Sequence, residues 1–501
     1  MPTLRSLAPT VASRHPLAFA IGGFTLVHLA LGFVLDFSTD EAHYALYARF
    51  LDWSYFDHPP LVAWIQWPLI HSDAPEGIVR LIPQVLWLTS LALIASIARK
   101  LGADGLGISW SVTAWLLAPL PQALAVGLVP DSLLVVFTLL LMRLALVLAD
   151  HWATPATAQH LAWQLWLSLG LCVGLAGLSK YTAILAAFAL ALCLFAWRGP
   201  KLVSERGLWV ALLVAALAVA PVIIWNLQHD WISFTYQLRH GMGAEPRWTR
   251  IVTFMLVQLL VFGPLIAIGT TVALRAGGMH RPALLWFFAI PFVVFAWMSR
   301  GGGSLPHWTA PAWAALAPLS GLGLSIAWRS GQRLLLAIVA AAQCVVCLCG
   351  FILLFNGGIP LRGLDDPGGR DNPAADLYGW RAAANHARCL SDDTHTPYLA
   401  VQNWTLASVL AWYARPLPVM VLDDRFDQFD LWFGQLPVGA DAVVVGWSGM
   451  KFEPPVHPGE FASCERRGSE DVVRAGRIIG RTEFLLCRHW GGHPAPERSA
   501  Q

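Results

Sequence analysis

The chain has 501 residues, of which 56% are hydrophobic and only 13% are charged. Soluble domains carry about 25% charged residues, so this composition excludes an ordinary soluble protein and indicates one that crosses a membrane several times. The formal net charge is only +2. We expect the lipid bilayer as a partner and no nucleic acid.

Apolar runs long enough to cross a bilayer as helices recur throughout residues 1–356. They predict about eleven spans, at 16–35, 78–98, 107–126, 131–149, 162–179, 181–197, 208–225, 251–274, 282–299, 307–328 and 334–355. The runs at 162–179 and 181–197 are nearly fused. The first run has no small-residue cleavage site, so we expect a retained helix and not a removed signal peptide.

Lys and Arg in the connections predict the orientation, because they are enriched on the inner side of a membrane. Counting Arg5 and Arg14 as inside, the inner connections carry Arg99, Lys100, Arg198, Lys201, Arg206, Arg275, Arg281, Arg329 and Arg333. The first loop, 36–77, and everything after 356 then lie outside. For a bacterial inner membrane, this outer side is the periplasm.

A change of composition at about residue 356 predicts a domain boundary, since residues 357–501 hold eighteen acids and no spanning run. The segments 397–401, 404–413 and 418–422 are typical of strand, helix and strand, and 442–446 and 483–487 of further strands. We predict a mainly α membrane domain, 1–356, and a small α/β periplasmic domain, 357–501. Within the latter, 357–375 reads as a linker and the tail after about 490 as disordered. One disulfide among Cys389, Cys464 and Cys487 is left open.

Acidic side chains are concentrated in the first loop. Seven of the thirteen Asp and Glu residues in 1–356 lie between 36 and 77. Charge held against a membrane is costly and is usually functional. We therefore expect the active site in this loop.

The segment 38–41, Ser-Thr-Asp-Glu, has the form of a capping box, which is a structural explanation for Glu41 but not for Asp40. The helix that follows places four polar side chains on one face: Asp40, His43, Tyr44 and Tyr47. Such a face suits a polar cleft better than a core. The pattern predicts a short surface helix that directs Asp40 into a cavity.

Two further acids are candidates. Asp57 and His58 precede two prolines that fix the chain in a turn, although Asp57 has the alternative role of capping the next helix. Asp131 follows Pro130 at the start of a span, where an N-cap is the structural alternative. Asp131 becomes a site candidate because the first loop is expected at the same outer surface.

Lys180 lies between two apolar segments and has two interpretations. It can extend to the lipid headgroups, or it can hold the phosphate of a lipid-linked substrate. More basic groups fall on the predicted outer side, at Arg239, His240, Arg247, Arg250, Arg300 and His307. These cations are exceptions to the enrichment of Lys and Arg on the inner side of the membrane, and the carboxylate-rich first loop faces them. Together they suit an anionic lipid substrate and an acid–base site.

Two first-loop motifs carry a family resemblance, Asp40-Glu41-x-x-Tyr44 and Asp57-His58-Pro59-Pro60-Leu61. They resemble the signature of the polyprenyl-phosphate-sugar-dependent membrane glycosyltransferases, which include the protein O-mannosyltransferases and the bacterial lipid A aminoarabinose transferase. Later segments are similar to a bacterial branch of this group, at 130–131, 180–181, 224–237 and 306–308. The resemblance covers about residues 20–320 and leaves out the C-terminal domain.

The resemblance implies a GT-C fold, a sugar donor carried on a polyprenyl phosphate, and inversion at the sugar carbon on the outer face. It assigns catalytic roles to Asp40 and Asp131, and donor-phosphate binding to Lys180. We add Glu41 as a further catalytic candidate, and the outer cations Arg247 and Arg300 as further candidates for the donor phosphate. Substrate-binding candidates are His43, Tyr44, Asp57, His58, Tyr181, Arg239 and His307. No cofactor is predicted, no metal ligands are assigned, and a divalent metal stays open.

The expected function is transfer of a sugar from undecaprenyl phosphate to lipid A, lipopolysaccharide or another envelope glycan. One alternative is a transporter or flippase of lipid-linked sugars, which would favour polar groups at mid-membrane and internal repeats. Another is a protein O-mannosyltransferase, although the large outer insertion usual in that subgroup is missing. A structural assembly protein would not explain Asp40 or Lys180.

Overall fold

A computed structural model describes residues 15–153, 159–242, 245–277, 282–302, 304–358, 372 and 374–493. Several predictions lie outside the described residues: those for Arg5, Arg14 and Arg281, for most of the linker, and for the tail beyond 493. The described chain is mainly helical, with twenty α-helices and one five-stranded sheet.

The membrane domain contains helices α1 to α17. Their bounds are α1 His15–Val34, α2 Thr39–Arg49, α3 Leu61–His71, α4 Glu76–Val79, α5 Leu81–Lys100, α6 Gly105–Leu116, α7 Pro119–Val126, α8 Pro130–Ala153, α9 Gln159–Ser179, α10 Ala183–Arg198, α11 Arg206–Gln228, α12 Ile232–Met242, α13 Trp248–Phe262, α14 Pro264–Arg275, α15 Trp286–Met298, α16 Ala310–Arg329 and α17 Arg333–Phe355. Short 3₁₀ turns flank α15 and precede α16.

Nine helices of the described residues are long and apolar enough to cross a membrane, and the count is ten if the bent pair α13–α14 is one span. The pair bends by 98° at Gly263, whose φ of +79° favours glycine. The predicted span 107–126 consists of the two short helices α6 and α7, because Ala118 is extended and Pro119 starts a new helix. The predicted count of about eleven is therefore not confirmed.

The span α16 lies at the centre of the bundle, and 89% of its apolar stretch is buried. Small residues allow its backbone to approach α14: a Cβ on Gly323 would lie 1.9 Å from the carbonyl oxygen of Gly269. This packing fixes the N-terminal end of α16, where the 3₁₀ turn Pro306–Thr309 carries His307.

The C-terminal domain contains α18 Trp380–Thr394, β1 Leu399–Val401, α19 Trp404–Tyr413, β2 Val419–Val421, α20 Gln428–Phe433, β3 Ala442–Trp447, β4 Phe461–Arg474 and β5 Arg477–Trp490. The strand order is β2-β1-β3-β5-β4, with β1 parallel to β2 and β3 and with β5 antiparallel to β3 and β4. The predicted strand–helix–strand is confirmed. Strand β4 was not predicted, because most of its side chains are polar and exposed.

A disulfide joins Cys464 of β4 to Cys487 of β5, and Cys389 is free and exposed. The strands pair in a defined register, with Ala400 of β1 opposite Met420 of β2. Of the three cysteines considered from the sequence, the pair on adjacent antiparallel strands is the one that is joined.

The C-terminal domain is docked on the first loop. Arg381 of α18 bridges Asp36, at 3.2 Å, and Glu76, at 2.7 Å. The backbone N–H of Phe37 donates to the hydroxyl of Tyr413 at 2.6 Å. These contacts place the loop and the domain on the same side of the helical bundle.

We expect that side to be the periplasm. Cysteines introduced at Trp53 and Val438, which are 53% and 76% exposed, should react in intact spheroplasts with a membrane-impermeant maleimide. A cysteine at the exposed Lys201 should react only after lysis. The parent protein should lack the exposed Cys349 and Cys389. Labelling of the first two positions from opposite sides would contradict the docking.

Candidate active site

A cavity of about 490 Å³ lies between the membrane domain and the C-terminal domain. Its polar and aromatic lining includes Asp40, His43, Tyr44, Asp57, His58, Asp131, Lys180, Tyr181, Tyr236, Gln237, His307, Trp308 and Trp404. Nine of the thirteen site residues proposed from the sequence are in this lining. They come from α2, the first loop, the start of α8, the connection between α9 and α10, and the turn before α16.

Asp40 lies in the first turn of α2 and is half-buried on the cavity wall. The helix begins as predicted, because the Ser38 hydroxyl accepts from the Glu41 N–H and the Glu41 carboxylate accepts from the Ser38 N–H. Within the described part of the chain, we find no hydrogen bond or ion pair to the Asp40 carboxylate. Its oxygens are therefore available to a ligand in the cavity.

Glu41 is not part of the cavity lining, and its contacts favour a structural role over the catalytic role predicted from the sequence. The Arg80 guanidinium donates to both Glu41 carboxylate oxygens, at 2.7 and 2.8 Å, and both side chains are buried. Arg80 also donates to the carbonyls of Gly32 and Leu35 at the end of α1. The capping box directs Glu41 back toward the start of its helix, where it stabilises the junction of α1, α2 and α5.

Asp57 is the centre of a hydrogen-bonded group. The Nδ1 atom of His58 lies 2.9 Å from one carboxylate oxygen, His43 Nε2 lies 3.6 Å from the other, and the Tyr47 hydroxyl donates to it. Burial would raise the pKa of Asp57, but His58 and His43 hold this pKa well below its ordinary value. Asp57 therefore stays ionised and orients the two imidazoles. The alternative helix-cap role is not seen, because Pro60 occupies the N-cap of α3.

Asp131 and Lys180 form a buried ion pair, with 2.6 Å between Lys180 Nζ and Asp131 Oδ2. The His307 Nε2 atom lies 3.7 Å from the same carboxylate oxygen. The lysine ammonium also lies 5.4 Å from the centre of the Trp308 ring. Asp131 opens α8 and Lys180 occupies the break between α9 and α10, so the pair lies where three spans end. Burial of either charge without the other would be costly.

The predicted outer arginines are not part of the cavity lining. Arg239 and Arg247 are exposed, and the Arg300 guanidinium packs 3.2 Å from the centre of the Trp297 ring. The structure therefore does not bring Arg239, Arg247 or Arg300 into this lining, and the binding roles assigned to them stay predictions. The charge pattern indicated the side of the membrane but not the direction of each side chain. The side chain of His240 lies outside the described residues.

Five residues in or near the site were not proposed from the sequence: Tyr236, Gln237, Trp308, Asp376 and Trp404. Gln237 belongs to a segment that the family resemblance includes, and it donates to the Asp57 carbonyl at 2.6 Å. Burial, together with the nearby Asp40 and Glu41 carboxylates, raises the pKa of Asp376 to about 7. In the described ranges, no three His, Cys, Asp or Glu side chains are grouped to hold a metal ion.

Comparison with known sequences gives two matches. Residues 57–225 match the family described as dolichyl-phosphate-mannose-protein mannosyltransferase. The lipid A galacturonosyltransferase RgtD of Rhizobium johnstonii is 28% identical over 351 residues, which is 67% of this chain and 72% of that protein. The family match includes the stretch that carries Asp131 and Lys180.

Comparison with solved structures shows the fold. The crystal structure of ArnT from Cupriavidus metallidurans in the apo state has a TM-score of 0.62 and 18% identity, over 95% of this chain and 98% of that one. ArnT bound to undecaprenyl phosphate gives a TM-score of 0.61. At this coverage the shared fold includes the C-terminal domain, beyond the range of the sequence resemblance. The fold is the GT-C fold of membrane glycosyltransferases. The chain therefore shares this fold, and it is similar in sequence to glycosyltransferases over part of its length.

The different roles of Asp40 and Glu41 can be tested by replacing each carboxylate with the corresponding amide. Glu41→Gln removes the charge that pairs with buried Arg80, and breaking such a pair costs about 3–5 kcal/mol. We expect a clearly lower Tm in detergent for Glu41→Gln and an unchanged Tm for the matched control Asp40→Asn. Equal thermal stability of the two variants would contradict the structural role of Glu41.

Proposed function

We propose that the protein transfers a sugar from undecaprenyl phosphate to lipid A or a related envelope glycolipid, with inversion at the sugar carbon, on the periplasmic face. The name of the relative RgtD supports the lipid A acceptor, and the ArnT complex with undecaprenyl phosphate supports the donor carrier. The observation that carries the proposal is one cavity that holds a buried cation, Lys180, and the carboxylate of Asp40, which has no hydrogen-bond or ion-pair partner among the described residues.

Asp40 acts as the general base. It accepts the proton of the acceptor hydroxyl while that oxygen attacks the sugar carbon, and the bond between that carbon and the phosphate oxygen breaks. The electron pair of that bond leaves with the polyprenyl phosphate. Attack opposite the leaving group inverts the configuration. When the acceptor is itself an ionised phosphate, no proton has to be removed and the need for Asp40 decreases.

Lys180 stabilises the leaving phosphate. The phosphate gains charge as the bond breaks, so a fixed cation stabilises the transition state more than the ground state. Asp131 neutralises Lys180 before the donor binds and holds its ammonium in place at 2.6 Å. His307, 3.7 Å from Asp131, is the second basic group of this cluster and supplies a further donor to the phosphate when protonated.

One flank of the cavity is formed by membrane-spanning helices, and this flank provides a route for the lipid tail. Ile184 and Leu185 of α10 face the cavity together with Val294, Phe295 and Met298 of α15. Ile184 is 69% exposed, so this apolar wall continues to the outside of the bundle, where the bilayer lies. A polyprenyl chain can lie along it while its phosphate reaches Lys180.

The names of the similar proteins suggest two candidates for the transferred sugar and its acceptor. The name of RgtD makes a galacturonosyl group the first to test. The family matched at 57–225 is named for protein mannosyl transfer, which keeps a protein acceptor as the second candidate. Transfer to lipid A increases the mass of lipid A. Transfer to a protein acceptor leaves lipid A unchanged and modifies proteins, so mass spectrometry distinguishes the two.

Asp40→Asn should abolish most of this transfer without loss of folding. We expect turnover with a hydroxyl acceptor to fall by about 10²-fold or more, the usual scale for losing a general base. The measurement is mass spectrometry of lipid A from cells with the wild-type gene, the variant or no gene, combined with initial rates for purified protein. Wild-type turnover in Asp40→Asn would refute the assignment of the base.

Lys180→Ala should weaken both the affinity for undecaprenyl phosphate and the turnover, by about tenfold or more, and Lys180→Arg should recover part of each. Because Lys180→Ala leaves Asp131 buried and unpaired, the double variant Asp131→Asn/Lys180→Met is the control for folding. This double variant should have a Tm near that of the wild type and still bind undecaprenyl phosphate weakly. Unchanged binding and turnover in Lys180→Ala would limit Lys180 to its structural ion pair with Asp131.

A further inference from the structure

We propose that the C-terminal domain forms the acceptor-binding side of the cavity, and that Trp404 contacts a sugar ring of the acceptor. The proposal rests on the glycosyl transfer proposed above and assigns the domain a direct part in it. Trp404 is the residue through which this domain reaches the described cavity lining. It is the first residue of α19, and Asn403 caps that helix by accepting from the Leu406 N–H at 3.1 Å.

The carboxyl ends of the parallel strands β1 and β2 face the cavity. Parallel sheets bind ligands at this edge, because the loops that follow the strands meet there. Trp404 follows β1, and Arg425 follows β2. The Arg425 guanidinium lies 5.3 Å from the centre of the Tyr236 ring and donates to its hydroxyl at 3.2 Å. Because Tyr236 is part of the cavity lining, this edge of the sheet contacts the cavity wall at two places.

The position of Trp404 is coupled to the polar group around Asp57. The Ser408 hydroxyl donates to the Trp404 carbonyl at 2.8 Å, and its oxygen lies 3.1 Å from His43 Nδ1. Since the single Ser408 proton is donated to that carbonyl, the oxygen accepts from a proton on His43 Nδ1. The indole of Trp404 lies edge-on to His43, with 5.3 Å between ring centres. The domain thus holds both the indole and the imidazole.

The two sides of the cavity differ in their side chains, and each side suits one of the two substrates. The spans supply an apolar flank and the ion pair of Lys180, which suit a lipid tail and a phosphate. The described part of the C-terminal domain has no spanning helix, so it meets the part of a substrate that projects out of the bilayer. There it presents the partly exposed indole of Trp404. An indole buries the apolar C–H face of a sugar ring and leaves the hydroxyls free for polar neighbours such as Asp40.

The experiment separates acceptor binding from donor binding. Trp404→Ala, Trp404→Tyr and Trp432→Ala are compared with the wild type in the full-length protein. Trp432 is the matched control, because its ring lies 6.0 Å from the same His43 but is not in the cavity lining. Each protein is measured for KM and kcat with purified lipid A as acceptor, and for Kd with undecaprenyl phosphate.

We expect Trp404→Ala to raise the KM for lipid A by about tenfold or more, the size of one lost aromatic contact with its buried area. The Kd for undecaprenyl phosphate should stay within about twofold of the wild type, which also shows that the variant is folded. Trp404→Tyr should recover most of the KM, and Trp432→Ala should leave it unchanged.

Two results would overturn the proposal. Wild-type KM for lipid A in Trp404→Ala would show that the indole does not contact the acceptor. An increase in the Kd for undecaprenyl phosphate, with an unchanged KM for lipid A, would place Trp404 on the donor side. Both results require transfer to lipid A by the wild type. If the wild type does not modify lipid A, the proposed function fails first and this proposal fails with it.

Discussion

The buried ion pair between Glu41 and Arg80 decides which way the first loop faces. Arg80 donates to carbonyls at the end of α1 and to both oxygens of Glu41, so it joins the end of one span to the start of α2 and of α5. With Glu41 directed at Arg80, the other face of α2 turns to the cavity. The positions of Asp40, His43 and Tyr44 depend on this pair, because a helix rotates as one body.

Removing a charge from water costs free energy, so most of the carboxylates in the cavity are paired with a donor or a cation. Asp57 is compensated by His43, His58 and Tyr47, and Asp131 by Lys180. Asp40 differs, because the described residues offer its carboxylate no partner and it stays half-exposed to the cavity. A carboxylate that a donor already holds is a weaker base than one that water or a substrate hydroxyl contacts. The arrangement therefore supports the proposal that Asp40, among these three acids, is the proton acceptor.

Local patterns in the sequence predicted local structure well. Apolar runs gave the spans apart from 107–126 and the bent pair at 251–274, and the capping box and the 3.6-residue period gave α2 and its polar face. They could not separate Asp40 from Glu41, because the arginine that captures Glu41 lies on another helix. They also could not place Arg247 or Arg300, since a charge count reports the side of a membrane and not a side-chain direction. Trp404 was missed for a similar reason: contact between domains leaves no periodic signal.

In the proposed reaction, a cavity of the membrane domain that Trp404 of the C-terminal domain completes suits transfer from a lipid carrier. The donor tail is insoluble in water and has to stay in the bilayer, whereas the acceptor sugar is solvated and projects out of it. A site inside the bundle would strip water from the acceptor, and one inside the C-terminal domain would pull the tail out of the lipid. At the junction, each substrate keeps its own solvent until the reacting atoms meet. The ion pairs of Arg381 with Asp36 and Glu76 are among the contacts that hold the C-terminal domain beside the cavity.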